Sequence, residues 1–469
     1  MKGMMIAMLV VVCGCAGGPT GEAESNRALN VILFVGDGMG VSTVTAARIY
    51  EGQTRGDSGE ENYLSFERFP ASALVKTYNT DMQVPDSAGT MTAMVTGRKV
   101  RAGAISVAAD VGRGDCEAAL DNPLPTILEQ AEERGMATGI VSTATITHAT
   151  PAATYAHSPE RNWEADAMMP AAAIEAGCVD IARQLVEFPQ GDGLDVMLGG
   201  GRAHFIAREQ ADPEDPGRHG SREDGRDLVA DWLSGAENRS YVWNSEEFAA
   251  VRPEAVGQVL GLFERSHLEF EADRRADAGG EPSLADMTEF AIRRLRRDGE
   301  GYFLMVEAGR IDHAHHFSNA YRALVDTVAL SDAVQRAVNL TSAADTLIIV
   351  TADHSHTFTI SGYPSRGNPI LGKVAVGGQE QLDAEGRPYT TLSYANGPGY
   401  LKELPDLTDV DTTAHTYRQI AAVPLPVETH AGEDVPAYAR GPGADGVNGV
   451  MDQNEIYATM HQALWGDAE

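Results

Sequence analysis

Short apolar runs alternate with helical segments along most of this 469-residue chain, and that alternation constrains the fold more than any other feature. Runs typical of buried strands lie at residues 30–35, 138–142, 196–198, 302–306 and 346–351. Helical periodicity marks residues 124–134, 284–297 and 319–338. Strands that alternate with helices predict an α/β fold, in which helices cover both faces of a mostly parallel sheet. We therefore expect a three-layer α/β/α sandwich.

One domain, residues 28–466, accounts for these elements. Residues 208–226 are rich in Asp, Glu, Gly and Arg, and residues 361–426 contain many Gly and Pro residues. Because neither region shows clear periodicity, we interpret both as insertions on the α/β body rather than as separate domains.

The chain is strongly acidic, with 68 acidic and 36 basic residues and a formal net charge of -32. This balance argues against nucleic acid as a partner, since binding a phosphate backbone needs clustered Lys and Arg. It would also repel anionic lipid surfaces. Solubility, or life in salty surroundings, is the simplest explanation of the charge. A phosphate substrate would need bound cations to reverse the field locally.

The N-terminus is typical of an exported protein. Residues 1–15 contain a short apolar run after Lys2 and end in a lipobox-like segment, which predicts lipidation of Cys15. A plain signal peptide cleaved near Ala16 is the alternative. Residues 16–27 are small and polar, as in a tether. Both interpretations export the chain, and we expect a periplasmic or cell-surface protein that touches the bacterial outer membrane only through its lipid anchor.

Beyond the signal segment, Cys116 and Cys178 are the remaining cysteines. In an oxidising compartment an isolated pair favours a disulfide over a metal site. Two free buried thiols are the alternative.

Residues suited to metal binding follow several of the predicted strands. Asp37 lies in a Gly-Asp-Gly turn, and Asp353 and His354 directly follow another strand. Asp312 and His316 are four residues apart and would share one face of a helix. Because the carboxyl ends of parallel strands meet at one edge of a sheet, these side chains can converge there. Taken alone, Asp37 could equally mark a simple tight turn.

Four further residues extend this pattern. His430 completes two sets of Asp and His side chains, the ligand types that zinc favours. Glu307 and Thr150 offer the hard oxygens that magnesium prefers. Arg161 offers a bidentate fork for a phosphate. Individually, Thr150 and Arg161 could be an ordinary loop hydroxyl and a surface ion pair. We interpret the histidines without such neighbours as structural, namely His157, His204, His219, His267, His415 and His461.

Ser87 opens a predicted helix in the segment Asp86-Ser87-Ala88. A serine at this position is usually a helix cap. The same position offers free N–H groups and the positive end of the helix dipole, which favour an alkoxide and a phosphoryl group. A serine hydroxyl needs a base or a metal to act as a nucleophile. The sequence around Ser87 lacks the pattern of a serine hydrolase, so a metal is the expected activator.

Together, these segments resemble the alkaline phosphatases over residues 28–465. The strings Gly-Asp-Gly-Met-Gly, Asp-Ser-Ala, Asp-His-Ala-His-His, Thr-Ala-Asp-His and Thr-His-Ala-Gly-Glu-Asp occur in the family's order. The resemblance implies hydrolysis of small phosphate monoesters through a phosphoserine at Ser87, with two zinc ions and one magnesium ion. It implies that the first zinc is held by Asp312, His316 and His430, the second by Asp37, Asp353 and His354, and magnesium by Asp37, Thr150 and Glu307. Arg161, oriented by Asp86, would hold the phosphate.

Two positions resemble animal and marine bacterial members rather than enterobacterial ones. This chain has His148 and His313 where the enterobacterial members carry Asp and Lys. The resemblance implies that His148 acts beside a looser magnesium site and that His313 contacts the phosphate, by way of water.

Other features resemble the animal branch. Cys116 and Cys178 match the position of a disulfide there. Glu214, the carbonyl of Phe263, Glu264 and Glu281 resemble a peripheral calcium site, for which an acidic surface without an ion is the alternative. The resemblance also implies a homodimer, with residues 361–426 forming a crown-type insertion at its interface.

Two other functions predict different residues. A related phosphodiesterase or sulfatase would not need the third metal site, so Thr150, Glu307 and Arg161 favour the monoesterase. A non-catalytic metal-binding lipoprotein predicts loss of the nucleophile, whereas Ser87 is present.

Overall fold

The computed structural model describes residues 27–297 and 299–466. The predicted signal segment, the lipidation site Cys15 and nearly all of the tether lie outside these residues. Within the described ranges, none of the helices has the length and apolarity needed to cross a membrane.

A ten-stranded sheet forms the centre of the molecule. The strands of the chain are β1 (Asn30–Gly36), β2 (Ala71–Lys76), β3 (Ala137–Thr145), β4 (Val196–Gly200), β5 (Arg239–Val242), β6 (Gln258–Leu262), β7 (Tyr302–Ala308), β8 (Thr346–Ala352), β9 (Ser355–His356), β10 (Phe358–Ile360), β11 (Ala375–Val376), β12 (Gln379–Glu380), β13 (Leu392–Gly397), β14 (Ala421–Pro424), β15 (His430–Ala431), β16 (Val435–Arg440) and β17 (Gly449–Asp452). The order in the large sheet is β17-β2-β16-β8-β1-β7-β3-β4-β6-β5.

The sheet is mostly parallel, as predicted. Only β16 runs antiparallel to its neighbours β2 and β8 among the pairings of this sheet in the described chain. Every residue of β1, β7 and β8 is buried. Burial on both faces explains why these strands are continuous apolar runs in the sequence instead of alternating ones.

Helices cover both faces of the sheet, which confirms the three-layer sandwich. They are α1 (Val41–Thr54), α2 (Ser87–Thr96), α3 (Cys116–Asp121), α4 (Ile127–Glu133), α5 (Ala149–Ala152), α6 (Ala171–Glu175), α7 (Ile181–Val186), α8 (Leu228–Ser234), α9 (Ser245–Ala250), α10 (Leu284–Leu295), α11 (Arg310–His316), α12 (Ala320–Leu340) and α13 (Glu455–Trp465). Helices α1, α10 and α12 pack together, as do α2, α4, α5 and α13 in pairs.

The helix predicted at residues 124–134 begins three residues later than expected. Thr126 caps α4 by accepting from the Glu129 N–H, while the Glu129 carboxylate accepts from the Thr126 N–H. This reciprocal pair satisfies two backbone donors and sets the first turn at Ile127. The region 361–426 supplies β13 and β14 to a small three-stranded sheet with β10.

Candidate active site

The register of the central strands brings three acidic residues to one edge of the sheet. Gly36 at the end of β1 lies opposite Ala308 of β7 and Ala352 of β8. Asp37 and Asp353 therefore leave their strands side by side, and Glu307 is one residue back. The convergence predicted for the carboxyl ends of the strands is present.

Ser87 is the first residue of α2, but it is not the cap. Asp86 caps this helix, with Oδ1 accepting from the Gly89 N–H at 3.2 Å. The Ser87 hydroxyl is consequently free of the capping role, and its Oγ lies 3.1 Å from Nε2 of His354. Ser87 is only 1% exposed, so its hydroxyl faces an enclosed group of polar side chains.

Asp37, Asp353 and His354 form one compact group behind Ser87. Nε2 of His354 lies 3.4 Å from Asp37 Oδ1 and 3.2 Å from Asp353 Oδ2. Tetrahedral ligands at about 2.0–2.1 Å from a zinc ion lie about 3.3 Å apart, so these spacings fit one shared ion. Both carboxylate oxygens of Asp37 and Oδ2 of Asp353 have no hydrogen-bond partner within the described chain. Buried carboxylates without partners are costly unless a cation binds them.

Asp312, His316 and His430 form a second group. Asp312 Oδ1 lies 3.3 Å from Nε2 of His316 and 3.3 Å from Nε2 of His430. Nδ1 of His316 donates to the Glu428 carbonyl at 2.6 Å, and Nδ1 of His430 donates to the Pro85 carbonyl at 2.8 Å. These bonds place the proton on Nδ1 of each ring, so both Nε2 lone pairs are available to a metal.

A third group surrounds Glu307. One Glu307 oxygen accepts from the Ser142 hydroxyl, while Oε1 and the Thr150 hydroxyl have no hydrogen-bond partner in the described ranges. Asp37, Glu307 and His148 place ligand atoms within 4.8 Å of one another. This oxygen-rich group suits a hard cation.

In the absence of cations, the carboxylates of these groups repel one another. The pKa of Asp37 is raised well above its usual value by burial and by the charges of Asp353, Asp312 and Glu307. Burial also raises the pKa of Glu307 to about 7. Divalent cations would remove this repulsion and pull both pKa values down. The residues therefore fit bound metal ions.

Arg161 reaches the same centre from the loop after α5. Its Nη1 donates to Asp86 Oδ2 at 3.1 Å, and its Nη2 donates to Nε2 of His148 at 3.2 Å. The pairing of Asp86 with Arg161 that the resemblance implies is therefore present in the structure. A guanidinium held beside Ser87 can bind the oxygens of a tetrahedral anion.

The comparisons with known proteins agree with this geometry. A sequence model of the family described as alkaline phosphatase matches residues 28–465. The chain is 46% identical over 450 residues to the tissue-nonspecific alkaline phosphatase isozyme of Gallus gallus, covering 94% of this chain and 85% of that protein. This chain belongs to the alkaline phosphatase family.

A further relative supports the assignment, and two solved structures share the fold. The Homo sapiens tissue-nonspecific isozyme is 43% identical over 451 residues, covering 94% of this chain and 84% of that protein. The alkaline phosphatase of the Antarctic bacterium TAB5 matches with a TM-score of 0.65 at 23% identity, covering 94% of this chain and all of that one. The Thermus thermophilus enzyme matches with a TM-score of 0.67 at 24% identity and 97% coverage of both chains. The two structures support the fold, and the animal relatives support alkaline phosphatase activity, the hydrolysis of phosphate monoesters with divalent metals.

Sequence reasoning missed the parts played by His356 and Glu428 in this alkaline phosphatase site. Nε2 of His356 donates to Asp312 Oδ1 at 2.7 Å, and its Nδ1 donates to the Glu428 carboxylate. Burial opposes the charged ring, but Glu428 and Asp312 outweigh it and raise the pKa of His356 to about 10. His356 therefore orients Asp312 as a cationic donor. Both residues lie in segments that the sequence singled out, yet their pairing depends on the fold.

The peripheral acidic group differs in membership from the predicted calcium site. Glu214, Glu264 and Asp277 place ligand oxygens within 4.8 Å of one another. Glu281 lies nearby, with both carboxylate oxygens accepting from the Glu269 N–H at 3.0 and 3.2 Å. Burial and the charge of Glu214 raise the pKa of Glu264 to about 8. Phe263 is buried beside this group.

Cys116 and Cys178 form a disulfide. The two cysteines pack with Trp163, Met169 and Ala173 in a small apolar cluster. Because Trp163 is two residues from Arg161, this cluster anchors the loop that supplies the guanidinium.

Proposed function

We propose that this enzyme hydrolyses phosphate monoesters through a phosphoserine ester on Ser87 at a centre of two zinc ions and one magnesium ion. The observation that carries the proposal is the approach of Ser87 Oγ to His354 Nε2 at 3.1 Å, beside the unpartnered carboxylates of Asp37 and Asp353. This position supports activation of the Ser87 hydroxyl by a metal ion that these ligands would bind, and not by a catalytic base.

The proposed ligands are those of the three groups described above. The first zinc would be held by Asp312, His316 and His430, the second by Asp37, Asp353 and His354, and magnesium by Asp37, Thr150 and Glu307. When bound, the ions would supply Lewis-acid stabilisation of the serine alkoxide and of the leaving oxygen.

The residues of the chain would act in two displacements. Ser87 Oγ attacks phosphorus in line, forming the phosphoserine ester as the bond to the leaving oxygen breaks. Water then attacks the same phosphorus from the opposite side of the new ester, releasing inorganic phosphate and restoring the hydroxyl. Two inversions leave the configuration at phosphorus unchanged. Arg161 holds two phosphate oxygens through both steps, and the first turn of α2 offers its N–H groups to the same charge.

The site would tolerate many leaving groups. Its positioned donors and ligands all address the phosphoryl group, so they would bind the common part of different phosphate monoesters. His148 would lie beside the magnesium ion without being its ligand, because its Nε2 accepts a hydrogen bond from Arg161.

Export, lipidation of Cys15, a homodimer formed through region 361–426 and a peripheral calcium ion complete the proposal. The N-terminal sequence supports the first two, and family resemblance supports the others. Partition of the mature protein into the detergent phase tests the anchor. A Cys15→Ser protein that still partitions there would rule out lipidation at this residue.

The mechanism is tested by acid quench during turnover of a radiolabelled phosphate monoester. We expect label on Ser87, identified by peptide mapping, and no label in Ser87→Ala. Ser234→Ala, on the distant helix α8, is the matched control and should label as the wild type does. Hydrolysis should also stop on thorough chelation and return with zinc and magnesium. Activity that survives Ser87→Ala at a near wild-type rate would overturn the mechanism.

A further inference from the structure

Arg310 is a cation whose surroundings the proposed mechanism does not explain. It opens α11, and its guanidinium lies 3.7 Å from the centre of the Phe270 ring. Its Nη1 donates to Nδ1 of His313 at 3.1 Å, while Nε has no hydrogen-bond partner in the described part of the chain. Asp326, Glu269 and Glu281 act on this guanidinium through their charges, whereas the hydrogen bond that its Nη1 donates goes to the imidazole of His313. Because a carboxylate is the stronger acceptor for a guanidinium, the bond to His313 calls for an explanation.

The hydrogen bond to Arg310 determines where His313 carries its proton. A guanidinium has donors only and cannot accept, so Nδ1 of His313 must present its lone pair. The ring proton is then on Nε2, and Nε2 is the nitrogen left to donate to another group. A donor at that position suits a phosphate oxygen or the water bound to it.

The ring of His313 also packs against a second histidine ring. The ring of His267 lies 4.2 Å away, centre to centre. His267 is itself fixed, because its Nδ1 accepts from the Thr145 N–H at 3.0 Å. His313 is thus held at one nitrogen by Arg310 and packs against the inclined ring of His267, and both contacts restrict rotation of its ring.

His148, a close neighbour of His313, shows the opposite arrangement. Its Nε2 accepts from Arg161, so its proton is on Nδ1. The rings of His148 and His313 are 5.6 Å apart, centre to centre. Two arginines therefore hold two neighbouring histidines in opposite tautomers.

We propose that Arg310 is a positioning residue that acts through His313, holding it with its Nε2–H directed at the phosphate. The proposal rests on the proposed function, since it takes His313 to face the phosphate of a substrate or product.

Inorganic phosphate as a competitive inhibitor of the metal-loaded enzyme tests the proposal. Arg310→Met keeps the length of the stem and removes the donors, and we expect it to weaken phosphate inhibition about tenfold, as for loss of a hydrogen bond to a charged group. His313→Ala should weaken inhibition to a similar extent. In the double variant, Arg310→Met should add less than about twofold, because residues that act through one another are not additive. Independent, multiplying effects would overturn the proposal.

Arg322→Met is the matched control. Arg322 lies 4.8 Å from the centre of the same Phe270 ring, but its ion partner is Asp273, at 2.8 Å. Its replacement should leave phosphate inhibition within about twofold of the wild type. Equal weakening in Arg310→Met and Arg322→Met would show that packing around Phe270, and not the tautomer of His313, is responsible. Zinc and magnesium content measured on each variant excludes loss of metal as the cause.

A second measurement does not depend on the variants folding. Nitrogen-15 spectra of the histidine-labelled wild-type holoenzyme, with the His313 resonance assigned by its loss in His313→Gln, report which ring nitrogen carries the proton. We expect Nε2–H, and a ring protonated at Nδ1 alone would overturn the proposal. Failure of the proposed function would show itself separately, as absence of label on Ser87 in the wild-type enzyme.

Discussion

Asp86 binds the start of α2 with one carboxylate oxygen and the guanidinium of Arg161 with the other. Oδ1 accepts from the Gly89 N–H at 3.2 Å, and Oδ2 accepts from Arg161 at 3.1 Å and from the Gly103 N–H at 2.9 Å. One side chain therefore fixes the nucleophile's helix and the phosphate-binding arginine relative to each other.

Replacing Asp86 should affect stability and phosphate binding separately. Asp86→Ala removes the cap and frees Arg161, so we expect a loss of about 1–2 kcal/mol in the free energy of unfolding and roughly tenfold weaker phosphate inhibition. Asp86→Asn keeps a capping oxygen and should lose less stability while still loosening Arg161. Urea unfolding and phosphate inhibition measure the two effects. Unchanged phosphate inhibition in Asp86→Ala would contradict the assignment.

The same carboxylate should make stability depend on acid. Burial acts to raise the pKa of Asp86, but Arg161 and the N–H groups of Gly103 and Gly89 outweigh it and hold the pKa below its usual value. Stability from this group is present above the unfolded-state pKa of about 3.9 and is lost as pH falls through the lower folded-state pKa. Asp86→Asn should therefore show a shallower loss of stability with acid than the wild type.

In the enzyme stripped of its metals, the substitution Asp37→Asn should raise the melting temperature. In the chelated enzyme Asp37 faces Asp353, Asp312 and Glu307 in a buried site, and its pKa is raised by burial and by their charges. Asp37→Asn should abolish activity and weaken metal binding, yet melt at a higher temperature than the chelated wild type. Glu246→Gln, an exposed acid on α9, controls for simple loss of negative charge. A chelated Asp37→Asn protein that melts below the chelated wild type would contradict the proposed repulsion.

The stability that His157 contributes should be lost as pH rises. Its Nδ1 lies 2.7 Å from the Ser106 carbonyl oxygen and its Nε2 lies 2.9 Å from Glu129 Oε1, so both nitrogens face acceptors. Burial acts to lower the pKa of His157, but Glu129 and this carbonyl raise it above the usual value. The stabilisation is fully present below the unfolded-state pKa of about 6.5 and is lost as pH rises through the raised folded-state pKa.

Urea unfolding between pH 6 and 9 measures this dependence. His157→Gln should be less stable than the wild type at pH 6 and should lose less stability on the way to pH 9. Glu129→Gln removes the other charge and should flatten the profile in the same way. A wild-type profile that is no steeper than that of His157→Gln would refute the prediction.

The disulfide should stabilise the fold and the site together. Cys116 and Cys178 are separated by 62 residues, and closing a loop of that size is worth about 4 kcal/mol in the chain-entropy account. We expect Cys116→Ser/Cys178→Ser to lose stability of that order and to bind phosphate about two- to threefold more weakly, because Trp163 no longer anchors the loop that carries Arg161. The reduced wild type should match the double variant. Equal stability with and without reductant would show that the bridge does not constrain the unfolded chain.

Calcium should stabilise the enzyme, and more so at alkaline pH. The pKa of Glu264, raised to about 8 by burial and by the charges of Glu214 and Asp277, means that proton release must accompany calcium binding. We expect added calcium to raise the melting temperature by a few degrees at pH 9 and by less at pH 6.5.

Two substitutions identify the third acidic ligand, besides Glu214 and Glu264. Asp277→Asn should reduce the calcium shift more than Glu281→Gln, because the Glu281 carboxylate already accepts from the Glu269 N–H. Loss of the shift in Glu281→Gln alone would favour the ligand set that the sequence resemblance implied.

Much of this arrangement could be predicted because its signals are local. The buried strands β1, β7 and β8 appear as apolar runs, and Asp37, Asp353 and His354 directly follow two of them. The four-residue spacing of Asp312 and His316 predicted a shared helix face, which α11 provides. By contrast, the chain could not show that Asp86 caps α2 in place of Ser87, since both are common capping residues.

Hydrogen bonds between residues far apart in the chain could not be predicted from the sequence, for a physical reason. The sequence by itself determined which side chains stand at the strand ends and which ions their chemistry suits, because backbone direction and side-chain periodicity are properties of neighbouring residues. Only the tertiary structure decided that Ser87 meets His354, 267 positions away, that His356 orients Asp312, and that Arg310 sets the proton of His313. Hydrogen bonds form over about 3 Å, and only the packing of the sheet and its helices brings such atoms that close.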